Sequence, residues 1–162
     1  MFFDKSLTVK IIENNFKDIE LIKAAYNNAL QDFRFDHRSG GSGGNALISD
    51  PTANSGVHLA DPPYVPAVTI AVDITVKGCN HGKLRTIKKP RKWLELYEFT
   101  VKYAQQNELR LLVFNSRYIK NELHTKFTAQ HNISTTAYYN VRDDILSTAL
   151  AAACQLGIVR VI

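Results

Sequence analysis

The chain has 162 residues, 45% hydrophobic and 22% charged, which suits one folded domain or a domain with an appended helical segment and excludes disorder throughout. Its two cysteines, Cys79 and Cys154, lie far apart, no basic-then-apolar leader opens it, and no apolar run reaches bilayer length. An exported disulfide scaffold and a membrane protein are therefore not expected, and both thiols should be free in a reducing cytosol.

From Val9 to Phe33 the apolar residues fall at Val9, Ile12, Phe16, Ile19, Ile22, Tyr26, Leu30 and Phe33, always three or four apart. That is the pattern of a long amphipathic helix, and residues 1–37 read as one such element with a coiled-coil-like seam. A strict heptad would put Lys23 in the seam, and Phe16, Tyr26 and Phe33 are bulky for a two-stranded coil. Packing within its own domain is favoured over a dimerising coil.

Residues 38–50, with Gly40-Gly41-Ser42-Gly43-Gly44 at their centre, cannot be ordered cheaply and read as a flexible connector. No Lys-Ser or Lys-Thr pair follows the glycines, so they are not a phosphate-binding P-loop. Asp50 and Pro51 suit the cap and first turn of a short helix ending near Ala60. Val65 to Val76 is rich in β-branched residues and is followed by a turn-like cluster, Lys77 to Gly82, and by Leu84-Arg85-Thr86-Ile87. A small β-hairpin fits, the alternative being a helix, because the first segment is almost uniformly apolar.

Lys83, Arg85, Lys88, Lys89, Arg91 and Lys92 put six cations within ten residues. Such a run is usually a solvated face, yet Lys88, Lys89, Arg91 and Lys92 would also serve as an arm on a phosphate backbone. An amphipathic helix then starts just after Pro90 and reaches about Gln106, with Trp93 as a core anchor. Leu111, Leu112, Phe114 and Tyr118 suggest another helix.

Lys126 to Tyr139 reads as a short helix, a tight turn and a second helix. Ser134 is placed as N-cap, and Ile133 and Tyr138 flank it as a hydrophobic staple. Downstream, Ala137, Val141, Ile145, Ala149, Ala152 and Leu156 make a core-facing stripe, while Thr135, Thr136, Tyr139, Asn140 and Asp143 point elsewhere. Gly157 should stop this helix and leave a short apolar tail. The pattern fits a helix-turn-helix at about 122–150, whose second helix enters the major groove and reads base edges from its N-terminal end.

Charge agrees with that reading. Residues 1–80 hold seven Lys and Arg against nine Asp and Glu, a balance of −2, whereas residues 81–162 hold 13 against 6, a balance of +7. A cationic surplus confined to the half with the helix pair is what phosphate contacts require.

The turn and helix start Asn132 to Tyr139, then Arg142, Ile145 and Leu146 and the Ala-rich helix up to Gly157, resemble phage-encoded late-transcription regulators of the ArpU and RinA type. Their C-terminal segment is similar to the fourth conserved region of bacterial sigma factors. The glycine-rich stretch followed by Ser49-Asp50-Pro51-Thr52-Ala53 also resembles these proteins, whereas Val65 to Pro90 has no counterpart in them. The resemblance implies a phage or prophage transcription regulator in the cytoplasm of a bacterial host, with host RNA polymerase as a further partner.

The expected architecture is mainly α: a long N-terminal helix, one small β-hairpin, and a helical DNA-binding domain over residues 51–162 carrying the helix-turn-helix. The expected partner is double-stranded DNA, with homo-oligomers allowed and no membrane. Thr135, Thr136, Tyr139 and Asn140 are the base-reading candidates, and Arg142, Lys126, Lys120 and Arg117 the phosphate contacts nearest them. No catalytic cluster or cofactor set is evident: Cys79 and His81 lack a second ligand pair, His124 and His131 lack a third ligand, and Asp143 and Asp144 point in different directions. Two other readings stand beside this one, a DNA-packaging subunit like the small terminase and a protein-interaction module without DNA.

Overall fold

A computed structural model describes residues 5–38, 64–76 and 79–159, with side chains for 6–32, 64–72 and 82–159. Within them the chain is mainly helical with one antiparallel hairpin, as the sequence predicts. The connector, the helix expected from Pro51 and the last three residues lie outside the described residues.

The N-terminal pattern forms two helices rather than one, α1 (Lys5–Lys17) and α2 (Ile19–Arg38), parted by Asp18. Asn14, Asn15 and Asp18 crowd the junction, and short polar side chains that compete for backbone hydrogen bonds are poor helix formers. Bonding still crosses the break, from the Asp18 N–H to the Asn14 carbonyl at 3.1 Å and from the Ile22 N–H to the Asp18 carbonyl at 3.0 Å. The apolar seam is spent inside the chain: Ile12, Phe16, Ile19, Ile22 and Tyr26 are buried, with Val9 and Leu30 packed beside them. The break lets α1 lean on the last helix while α2 covers the hairpin and the helix after it.

Strands β1 (Ala67–Val76) and β2 (Cys79–Lys88) pair antiparallel with Val68 opposite Ile87 and Ile70 opposite Arg85. Val76 pairs with Cys79, so β2 begins within the expected turn and only Lys77 and Gly78 separate the paired residues. Val68, Ile70 and Ile87 alternate onto the core face. Arg85 shares that face and reaches across to the Asp18 carboxylate at 2.8 Å, tying the hairpin to the helix break.

Helix α3 (Pro90–Ala104) takes in Pro90 itself in its first turn and buries Trp93, Leu96, Thr100 and Ala104 at helical spacing. Helix α4 (Glu108–Phe114) is capped by the Asn107 side chain, which accepts from the Arg110 N–H at 3.1 Å. It runs into a widened π turn, Asn115–Ile119, closed by the Lys120 N–H on the Asn115 carbonyl at 2.9 Å. The extra residue in that turn brings Ser116 and Tyr118 inward, both buried. Rings of Phe16, Tyr97, Phe114 and Tyr118 meet there with centroids 5.0 to 6.3 Å apart, edge-on or tilted as ring quadrupoles prefer.

Helices α5 (His124–His131) and α6 (Thr135–Gln155) complete the fold, and Tyr138, Ile145, Leu146, Ala149, Ala152 and Ala153 of α6 form the centre of the core. At the end of α6 the Ile158 N–H bonds the Ala153 carbonyl and the Gly157 N–H the Cys154 carbonyl, both at 3.0 Å, with Gly157 at φ +63°. This is the left-handed glycine stop expected from the sequence. Ile158 and Val159 of the tail fold back onto the core.

Candidate nucleic-acid interface

The turn between α5 and α6 is set by backbone geometry. Asn132 takes the left-handed conformation at φ 50°, and the Ser134 hydroxyl accepts from the Ala137 N–H at 3.1 Å, as an N-cap does. Tyr138 is sealed beneath and Ile133 is partly buried in the same cluster. Ser134→Ala should lower stability by about 1 kcal/mol, read from the urea midpoint at constant slope; an unchanged midpoint would show that the hydroxyl does not hold the turn.

Above this turn, Thr135, Thr136, Tyr139 and Asn140 are all exposed. Their spacing places them on one flank of the first two turns of α6. Tyr139 is 38% exposed, and its ring is flanked by His124 at 5.3 Å, Tyr138 edge-on at 5.4 Å and the Arg142 guanidinium at 5.8 Å. Asp143 borders the flank, but Arg142 Nη1 lies 3.2 Å from its carboxylate.

The expected phosphate contacts divide. Lys120 is exposed. Lys126 is exposed too and only loosely paired with Glu122 at 3.3 Å, a one-turn surface pair of small energetic weight. Arg142 and Arg117 face inward to Glu13 of α1 instead. Arg142 donates from Nε at 3.0 Å and from Nη2 at 2.8 Å to the two carboxylate oxygens. Arg117 Nε lies 3.6 Å from Glu13, and the Tyr118 hydroxyl sits at 3.5 Å. Burial alone would push the Glu13 carboxyl up, but the Arg142 hydrogen bonds and the charges of Arg142, Arg117 and Lys17 hold it below the usual carboxylate range. Burial pushes the Tyr118 phenol far up, with the Glu13 charge adding to it, so it stays a neutral donor. Nothing local in the sequence marks Glu13, because its partners lie in the other half of the chain.

The basic run is not a continuous arm. Lys89 Nζ bonds the Gly157 carbonyl at 2.8 Å and Lys92 Nζ the Leu156 carbonyl at 2.6 Å, placing two cations on the negative end of α6. Arg91 pairs with Glu95 at 3.1 Å and Arg85 with Asp18. Lys83 and Lys88 alone of the six are exposed without an ion pair among the described residues.

Among the described residues no group of three or more His, Cys, Asp or Glu could hold a metal ion, and no helix is long and apolar enough to cross a membrane. His131 stacks on Phe127 at 4.3 Å. The Asp144 carboxylate is taken up by Arg110 at 2.7 Å and the Tyr103 hydroxyl at 3.0 Å. Cys154 is a free thiol. No protein-family model matches the chain, and neither a curated protein nor a solved structure is significantly similar to it.

Proposed function

We propose that the protein is a sequence-specific regulator of transcription that binds double-stranded DNA through α5 and α6. The observation that carries this reading is the solvent-facing flank of Thr135, Thr136, Tyr139 and Asn140 at the start of a capped helix, one three-residue turn after another helix. Threonine methyls suit thymine, an asparagine amide suits the adenine edge, and a helix presented by its N-terminal end fits the major groove. The exposed Lys120 and Lys126 are the candidates for phosphate contacts, while Arg142 holds α6, and Arg117 the π turn, against α1 through Glu13. A phage or prophage origin, and host RNA polymerase as a partner, rest on the resemblance of residues 132–157 to late-transcription regulators.

The test compares two variants on a site selected from random duplexes. Asn140→Ala should relax discrimination at one base pair by roughly 1–3 kcal/mol, while Lys126→Ala should weaken all duplexes about equally and flatten the salt dependence by roughly one charge. If both bind the selected site as tightly as the parent, with unchanged salt slope, α6 does not read DNA.

A further inference from the structure

Two grooves flank α1, and their charges differ. The groove against α6 sets Lys10 and Arg142 beside Glu13 and Asp143, so its cations are answered within the groove. The other, a cavity of about 510 Å³ between α1, β2 and the start of α3, is lined by Arg85, Lys88, Lys89, the amides Asn14 and Asn15, and Trp93, with no carboxylate in its wall. That volume is within the range of small-molecule sites. Asp18 answers Arg85 from outside the wall and Lys89 gives its Nζ to the Gly157 carbonyl, so the charge left for an incoming anion is that of Lys88.

The donors there are partly unspent. Arg85 gives one Nη to Asp18, but its Nε is buried without a hydrogen-bond partner among the described residues, an arrangement that costs free energy until an acceptor arrives. Lys88 is exposed and has no ion pair among the described residues. Backbone donors join them. The Lys89 N–H bonds the Pro66 carbonyl at 2.8 Å, which in the β1–β2 register turns the N–H groups of Thr86 and Lys88 away from β1. The sheet has two strands, so that edge of β2 has no strand beside it among the described residues.

We infer that this cavity binds the phosphate group of a phosphate ester, with Arg85, Lys88 and the outward N–H groups of Thr86 and Lys88 as donors. The guanidinium fork matches phosphate oxygens and lysine adds a point charge. Asn14, which is exposed, offers an amide to the rest of the ligand, with Trp93 alongside. The site makes no use of the α6 flank and stands whether or not α6 reads DNA. A free nucleotide and a nucleic-acid backbone carry the same chemistry.

Trp93 is the only tryptophan of the chain, so its fluorescence reports on the cavity directly. The full-length protein is titrated with inorganic phosphate, with a nucleoside monophosphate and with duplex DNA, ionic strength being held by chloride. A saturable response to phosphate and the monophosphate, weakened about tenfold or more in Lys88→Glu and in Arg85→Lys, assigns the site to a free phosphate ester. A response to duplex alone, weakened in the same variants and kept in Asn140→Ala, assigns it to a nucleic-acid backbone. No saturable response to any of the three, or one that Lys88→Glu leaves unchanged, overturns the inference. Lys88 lies on the surface, so its substitution leaves the fold to be assayed intact, and Arg85→Lys keeps a cation opposite Asp18.

Discussion

Glu13→Ala is expected to destabilise the protein by about 3 kcal/mol at neutral pH, because it strips the counter-charge from cations that are partly out of water. The Glu13 side chain is 10% exposed, while Arg142 at 21% and Arg117 at 27% are screened enough to put the loss at the low end for broken buried pairs. A urea unfolding curve gives the value, and a loss under 1 kcal/mol would mean that water replaces the carboxylate freely. The pH dependence follows from the same cluster. The folded-state pKa of Glu13 lies below its unfolded value, so its contribution is fully present above the unfolded pKa and is lost as pH falls through the folded one. Stability should therefore fall as pH drops below the ordinary glutamate range, and Glu13→Ala should show a shallower fall than the parent.

The Tyr138 pair of substitutions separates packing from polarity. Its side chain is 1% exposed, with Phe127 at 5.5 Å and Tyr139 at 5.4 Å, but its hydroxyl has no hydrogen-bond partner among the described residues. Burial pushes the phenol up, although Arg117 and Arg142 act the other way. Tyr138→Ala should cost roughly 3–5 kcal/mol through the cavity it leaves under the turn. Tyr138→Phe removes only an unanswered polar atom and should raise stability by up to about 1 kcal/mol. Calorimetry of the two variants checks both, and a Phe variant less stable than the parent by 1 kcal/mol or more would mean that the hydroxyl has found an acceptor.

The parts of the fold legible in the sequence are those fixed by near neighbours. Ser134 and Gly157 mark the two ends of α6, and its apolar stripe gives Ile145, Ala149 and Ala152 of the buried face but not Tyr138, Leu146 and Ala153. Pro90 marks the start of α3, and the β-branched run gives β1. The break at Asp18 was hidden because the apolar spacing passes through it unchanged, and only the weak helix propensity of Asn14, Asn15 and Asp18 hinted at it. The π turn left no mark, since one added residue keeps the apolar count plausible either way. The roles of the cations were the least legible. A run of lysines reads the same whether it faces water or caps carbonyls, and Lys89 and Lys92 do the second because a distant segment returns to them. Arg142 likewise looked free until a glutamate from the opposite end of the chain came within 3 Å.

That bond joins residues 129 positions apart. During synthesis at roughly 5–20 residues per second, α1 emerges on the order of ten seconds before the helix that carries Arg142 to Glu13. Phe16 can therefore settle early on Tyr97, Phe114 and Tyr118, while the Glu13 carboxylate waits for its main counter-charge until α6 follows. A nascent-chain protease assay would see residues 5–17 cut more readily in truncations that end before Thr135 than in those that include Gln155.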